Sequence, residues 1–566
     1  MSKDMHSNTH PYVPELVEQF RKGEISRRDF LRTATLLGVS ATAAYAAAGL
    51  ITGQKFVPQA RAQAKKMGGH LRFGMNVLEI TDPATYDWTA KGNGARQIVE
   101  SLVRTGNDNV ARPYLAERWD VSEDLKTWTF HLRRGVKWSN GDDFNADDLI
   151  FNMERWLDPA TGSSNQSRFA SMTSTADTGK KDENGKAIMS TTMTTGAVER
   201  LDDHSVRFHL NNADLAVPEN FSDYPGLIVH RRFSDEGGNL SKNPVGTGPY
   251  RLAEFSVGEK LVLEKRPHAD YWGDNFALDK ISYIDTGDDS SASLAALASG
   301  QIDINNQFGV ELIDAVAQIP DLILNERPTA ATGVARMRTT EKPFDDPRVR
   351  KAIQLTVDHQ RLVDLVFRGH GLPSEDHHIA PMHPEYAQLP IIKRDIEQAK
   401  ALLAEAGYAD GLDLELVCVS NPTWEQNSCT TLAEMAKPAG INIKVNVLPG
   451  GSYWNRWLSW PFSFTSWGHR PLGVQVPNLA YRTGGVWNES AHSNPEYDRL
   501  LDEASGTPNP VERSKVMAKL ERILQDDAVI SQSLWRSLFN ANSTKVKGWN
   551  LHTALEHHFN DVWLDS

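Results

Sequence analysis

From Asp395 to Leu448 the chain reads helix, strand, helix, strand, and no other feature narrows its fold as much. Asp395 opens a helix ending at Gly407, Leu412 to Val419 is a strand, a second helix runs to about Ala439, and Ile441 to Leu448 is a second strand. Strands separated by helices bury both faces of their sheet, so this stretch predicts an α/β lobe with a largely covered sheet. Upstream, Asp346-Pro347 caps a helix expected to run to about Arg368. A chain of 566 residues, 40% of them hydrophobic, holds more than one such unit.

The first half is more mixed. Leu71 to Met75 alternates as a half-buried strand, and Val206, Phe208, Leu210 and then Leu261, Leu263 mark further strands. Trp128, Phe130 and Leu132, followed by Val136 and Trp138 and a turn at Asn140-Gly141, read as a hairpin region. Asn145 caps a helix through Trp156, and the polar run 160–197 reads as an exposed excursion. A net charge of −13, with no basic stripe interleaved with aromatics, excludes a nucleic-acid partner. The two cysteines, Cys418 and Cys429, cannot form a four-thiolate zinc site; they allow at most one disulfide, which the sequence leaves open.

The N-terminus reads as an address and not as part of the fold. Ser26-Arg27-Arg28-Asp29-Phe30-Leu31-Arg32 precedes an uncharged stretch from Thr33 to Gln54, the layout of a twin-arginine export signal. That stretch is rich in Ala, Thr and Gly, too weakly apolar for a permanent span. A small-x-small site at Ala60-Arg61-Ala62 predicts removal of residues 1–62, leaving a soluble periplasmic protein that is more acidic still.

Several blocks, in matching order and spacing over nearly the whole remaining chain, resemble one family. They are PYLAERW from Pro113, WTFHLRRGVKW from Trp128, PVGTGPY from Pro244, Tyr271-Trp272-Gly273, DPRVRKAI from Asp346 and AKALLAEAG from Ala399. The chain is identified as a member of the family 5 extracytoplasmic solute-binding proteins of ABC importers, the class that takes peptides, nickel complexes, opines and related solutes. The resemblance implies an α/β, two-lobed periplasmic binding protein fold with mixed sheets, an extra subdomain in the first lobe and a hinged cleft between lobes. By similarity the first lobe covers 63–332 with its subdomain at about 105–240, the second covers 333–540, and 541–566 return to the first. The crossings fall near Thr332 to Thr340 and Asn540 to Val546. Such a protein closes on a peptide-like, opine-like or other small polar organic solute and delivers it to an inner-membrane ABC permease. It acts as a monomer, without cofactor.

The residues themselves give the candidate site. Among enzyme motifs, the chain lacks the nucleophile elbow, the His-Glu-x-x-His metalloprotease pattern and the phosphate loop, so catalysis is not expected. His377, His378 and His383 lie near Glu375 and Asp376, but in a segment that contains two prolines, Pro381 and Pro384, and read as a solvated loop before a metal site. Trp454, Trp457 and Trp460 recur every third residue and are expected to pack inward. Trp467 instead sits in Ser466-Trp467-Gly468-His469-Arg470, where relatives turn toward the cleft and an aspartate follows for a peptide's amino group. Here that acid is absent and Arg470 stands nearby, facing either an anionic ligand group or a protein carboxylate. At Asn421-Pro422-Thr423-Trp424, dipeptide binders place an arginine that this chain lacks. The ligand-binding candidates are therefore Asn76, Glu79, Trp424, Trp467, His469, Arg470, Trp487, Asn488 and Glu489, the last as a replacement for the missing aspartate, with no metal ligand. The alternatives are a nickel-chelate carrier and, from another class, a periplasmic enzyme on the same scaffold.

Overall fold

The computed structural model describes residues 9–53, 65–181, 185, 187–274 and 276–565. Its main sheet has eleven strands. Two of them, Leu322–Met337 and Ile530–Ser543, are 16 and 14 residues long and pair antiparallel, joining the two halves of the molecule. Outward on one side lie Ile304–Asn305, His70–Gly74, Lys280–Ile284, Lys260–Lys265 and Tyr250–Ser256; on the other lie Phe462–Trp467, Leu412–Val419 and Ile441–Leu448. The long pair slips register between Pro328 and Ala331 and again between Thr332 and Val334. Such slips break the ladder and bend the bulged strand, so the stretch 328–334 is where the halves are least firmly tied.

The α/β half follows its sequence pattern closely. Leu412–Val419 and Ile441–Leu448 pair in parallel over their whole length, with the helix Thr423–Ala436 crossing between them. Asp413 and Glu415 point outward and accept from the amides of Asn442 and Asn446, while Leu412, Leu414 and Leu416 face the core. The helix expected from Asp346 to Arg368 is instead two, Pro347–Leu355 and His359–Phe367. Asp358 explains the break: its side chain accepts the Arg361 N–H and restarts the helix as a fresh N-cap.

The opposite half carries a second, four-stranded antiparallel sheet in the order Ala116–Val121, Thr127–Leu132, Ser205–His209, Val198–Asp202. The helix Ala146–Leu157, capped by Asn145 with Asp148 as expected, packs on it. Residues 136–138 do not complete a hairpin with 128–132. Gly135 turns the chain away at φ 74°, and Trp138 is buried with its indole N–H on Asp148 at 3.0 Å. The run expected as an open excursion forms the exposed hairpin Thr173–Lys181 and Ala187–Met193.

The N-terminus, read from the sequence as an address, is helical in the structure. Helices Val13–Lys22, Arg27–Leu36 and Ala41–Thr52 pack on the body. Val13, Leu16, Val17 and Phe20 form one buried helical stripe, and Phe20 stacks on Phe30 at 4.9 Å. Full burial of side chains of this size is worth about 1.5–3 kcal/mol each. Ser26 and Asp29 form a reciprocal capping box that starts the second helix at Arg27. The expected cleavage site at Ala60-Arg61-Ala62 lies outside the described residues. Among the described residues no helix is long and apolar enough to cross a membrane. Cys418 and Cys429 are buried free thiols, so the disulfide left open by the sequence is not formed.

Candidate functional site

The two halves meet where the Phe462–Trp467 strand ends. The chain turns at Gly468, and His469 and Arg470 reach across to the half that carries the four-stranded sheet. His469 accepts the Ala330 N–H on Nδ1 at 3.1 Å, which leaves its proton on Nε2 to donate to Asn109 Oδ1 at 3.0 Å. Burial holds this imidazole well below its ordinary pKa, so it is a neutral bridge. Ala330 belongs to the bulged stretch of the long strand pair, so the same ring ties the junction to the opposing wall.

Arg470 places Nε 3.1 Å from Asp223 Oδ2 and donates from Nη1 to the His469 carbonyl at 3.0 Å. Arg168 donates to that same carboxylate oxygen, with its guanidinium 5.6 Å over the ring of Trp487. All three charged groups are buried. For Asp223 burial is the largest influence and acts upward, yet the two guanidiniums outweigh it and its pKa is lowered. Burial, together with the neighbouring Arg470, lowers that of Arg168 despite Asp223. Close by, Arg96 pairs with Glu556 at 2.8 Å, again fully buried. Arg168 and Arg470 thus share Asp223, while Arg96 holds Glu556.

A small cavity of about 20 Å³ opens at this junction, lined by Asn109, Glu219, Asp223, His469, Arg470 and Glu556 among others. Glu219 is the remaining acid on its wall. Burial pushes its pKa up to about 7, against the hydrogen bonds from Thr105 and Ser222 that favour the anion. The lining thus carries one guanidinium, Arg470, with the carboxyl groups of Asp223, Glu556 and Glu219, and Arg168 and Arg96, which are not part of it, pair with the first two.

The residues singled out from sequence divide between this cavity and the packed interior. His469 and Arg470 line the cavity. Trp467 is buried next to them with its indole N–H on Glu489 Oε1 at 3.1 Å, and its ring meets Trp487 edge-on at 5.9 Å. Glu489, expected in the cleft as a replacement for the missing aspartate, does not line this cavity. It accepts from Thr465 at 2.6 Å and pairs with the fully buried Arg336 at 3.3 Å, so its charge is consumed inside its own half. Asn488 closes a turn onto the Arg482 and His492 carbonyls. Trp424 is core, edge-on to Phe367 and Phe464. Asn76 binds Asp288 and Glu79 is exposed; neither lines the cavity. Trp454, expected to pack inward, is 42% exposed, because the helix Gly450–Trp454 ends there and the spacing of three no longer shares a face.

The 377–383 histidines are buried and not solvated, and they do not converge. His377 faces Glu375 at 2.9 Å, His378 pairs with Tyr481 at 2.6 Å, and His383 donates from Nε2 to the Arg470 carbonyl at 3.0 Å. Among the described residues, His552, Glu556 and His558 form the one group with ligand-type atoms all within 4.8 Å. Arg96 already holds Glu556, and His552 uses both ring nitrogens, on the Thr105 carbonyl and the Ala554 N–H. That set is satisfied by protein partners. Asn109, Arg168, Glu219 and Asp223 were missed from sequence, since each is an ordinary polar residue until tertiary packing buries it.

Residues 111–488 match the profile of the bacterial extracellular solute-binding proteins, family 5, middle region. The chain belongs to that family. Relatives include the periplasmic oligopeptide-binding protein OppA of Haemophilus influenzae, 25% identical over 470 residues, covering 79% of this chain and 84% of that protein. Among solved structures of the same fold, the family 5 chain resembles the Helicobacter pylori periplasmic binding protein DppA in complex with the peptide STSA. The TM-score is 0.76 at 22% identity, covering 89% of this chain and all of that one. It is equally similar, with TM-score 0.76 and 23% identity, to AgaA from A. tumefacien R10 in complex with agropinic acid, covering 88% of this chain and 99% of that one. The two-lobed family 5 architecture accounts for the divided sheet, and the junction cavity lies between its halves.

Proposed function

We propose that this family 5 protein is the periplasmic component of an ABC importer and captures a small peptide-like or opine-like solute through a carboxylate. Residues 63–332 with 541–566 form the first lobe, carrying a subdomain at about 105–240, and 333–540 form the second; the register slips between Pro328 and Val334 support the first boundary. The observation that carries the solute reading is the buried Arg168–Asp223–Arg470 cluster across the junction, where two guanidiniums share one carboxylate oxygen. Opening the lobes parts Arg470 from Asp223 while Arg168 keeps that acid neutralised. A solute carboxylate then pairs with Arg470, a donor on the solute meets Glu219, and closure returns His469 to Asn109. The loaded, closed monomer is what the permease receives. Binding is the whole task, with no cofactor and no reaction. The Arg27-Arg28 motif supports delivery to the periplasm by the twin-arginine route, with residues 1–62 removed at Ala60-Arg61-Ala62.

Mass spectrometry of small molecules released from natively purified protein tests this reading. A carboxylate-bearing solute, recovered chemically unchanged, is expected. Recovery of only a neutral or purely cationic solute overturns the carboxylate reading.

A further inference from the structure

The N-terminal helices touch the body at more than one place, and one of their side chains joins both walls of the junction. On the four-stranded-sheet side, Trp119 donates its indole N–H to the Leu36 carbonyl at 3.1 Å, His10 reaches the Glu123 carbonyl at 3.0 Å, and Tyr45 binds the Asp108 carboxylate. Arg32, 3% exposed, donates from Nε to the Asp108 carbonyl at 3.2 Å and from Nη1 to the Met382 carbonyl at 2.6 Å. Asp108 precedes Asn109, whose side chain holds His469 from the opposite wall. Met382 precedes His383, whose ring holds the backbone of Arg470. One guanidinium is thus stapled to the two backbone segments that carry the cross-junction bonds.

We infer that residues 10–53 act as an intramolecular strap that keeps the lobes shut and the solute cleft inaccessible for as long as they remain attached and docked. The surface they cover has a defined occupant: an amphipathic helix, Val13–Lys22, packed on a second, Arg27–Leu36, that carries Arg32 at the gap. Arg32 is suited to the position because a planar guanidinium can donate to two carbonyls at once, which a lysine ammonium does with poorer geometry. Burial lowers its pKa to about 10, so it remains a cation at neutral pH, with Glu385, Asp29 and Glu219 as the nearby acids that favour its charge. Because Arg32 belongs to the same helix as Arg27 and Arg28, the strap and the export motif are one structural unit. Undocking it presents the motif and frees the cleft together, and its removal leaves a protein that opens.

The inference rests on reading the junction as the solute cleft, but its test needs no solute, so the two can fail separately. Backbone hydrogen exchange is followed in the full chain at 222–227 and 468–476, which face each other through Asp223 and Arg470, with Leu412–Val419 as a strand away from the gap. Three segment variants are compared: Arg32→Ala, Arg32→Lys, and Leu16→Asp with Phe20→Asp, which detaches the helices without altering the body. Detachment is checked by limited proteolysis of residues 10–53. The strap predicts exchange at least about tenfold faster at both facing segments in the detached variant, a smaller rise in Arg32→Ala and partial protection in Arg32→Lys, with Leu412–Val419 unchanged. Unchanged exchange at the facing segments in a proteolytically confirmed detached variant overturns the inference. An equal rise at Leu412–Val419 also overturns it, since that reports general loosening and not lobe opening.

Discussion

Removing the carboxylate of Asp223 and removing the guanidinium of Arg470 should have unequal consequences, and the inequality tests the charge count at the junction. In Asp223→Asn, Arg168 and Arg470 remain buried side by side with no counter-charge, although both were held by the one oxygen. Taking one partner from a buried ion pair costs about 3–5 kcal/mol, which is a factor of more than about a hundred in the closing equilibrium. Because Arg470 comes from the opposite lobe, the variant can relieve the repulsion by opening, so part of the cost appears as an open population and not as unfolding. In Arg470→Met the pair Arg168–Asp223 survives as a neutral unit. The lost charged hydrogen bond, worth about 1.5–3 kcal/mol, is offset by relief of the repulsion between guanidiniums, and the net cost should stay below about 1.5 kcal/mol. Urea unfolding gives the global term and small-angle scattering of the solute-free proteins gives the opening. Both are best read in the background of the detached N-terminal segment, so that the strap does not mask opening. If Arg470→Met costs as much as Asp223→Asn, or if only Arg470→Met opens the lobes, then the two guanidiniums do not crowd one carboxylate and the carboxylate reading loses its basis.

Other expectations follow from the same geometry. Glu219 has a pKa raised to about 7 by burial; its neutral form is the one the fold favours, so its contribution is intact below the unfolded carboxylate pKa near 4.3 and is lost as pH rises through about 7. Glu219→Gln should therefore flatten the fall in stability between about pH 4.3 and 7 and gain up to about 3 kcal/mol at pH 8; an unchanged slope in urea titrations would count against a buried, strained carboxyl. Glu489→Gln leaves Arg336 unpaired in the second lobe and should lower unfolding stability by about 3 kcal/mol, whereas a cleft residue at that position would instead change solute affinity with stability intact. Changing Arg27 and Arg28 together to Lys should leave the uncleaved chain in the cytoplasm; normal periplasmic yield would exclude the twin-arginine route. Cys418 and Cys429 should both react with a thiol reagent under denaturing, nonreducing conditions and neither rapidly in the folded protein, since both are buried and free.

The fold was most legible where local rules and tertiary packing agree. Leu412–Val419 and Ile441–Leu448 fall on the expected residues because buried parallel strands need apolar runs and the helix between them has its own periodic face. Legibility failed where one residue offered the backbone a competing bond or one glycine redirected it. Asp358 split a helix whose apolar periodicity continues past it, and Gly135 turned a strand-like run out of the ladder it was expected to join. The N-terminal segment shows a different limit. Its composition and its arginine pair describe an address, while its capacity to fold lies in a four-residue apolar stripe and a Ser26–Asp29 box that acquire meaning only against the surface they cover.

The candidate site shows the same limit in electrostatic form. Arg470 had two readings from sequence, an anionic ligand or a protein carboxylate, and the structure gives it the carboxylate of Asp223 without discharging the first alternative, because Arg168 lies on the same oxygen. Glu489 had the reverse fate: a plausible cleft acid by position, it is neutralised from behind by Arg336, a residue on the long strand more than a hundred positions earlier in the chain. Neither outcome is encoded in spacing, since what decides the role of a charge is the sum over its buried neighbours, and those neighbours are brought together from strands, turns and a subdomain far apart in sequence. A family resemblance can place the turn at Trp467-Gly468, but that Arg470 shares the carboxylate of Asp223 with Arg168 is visible only once the fold brings the three together.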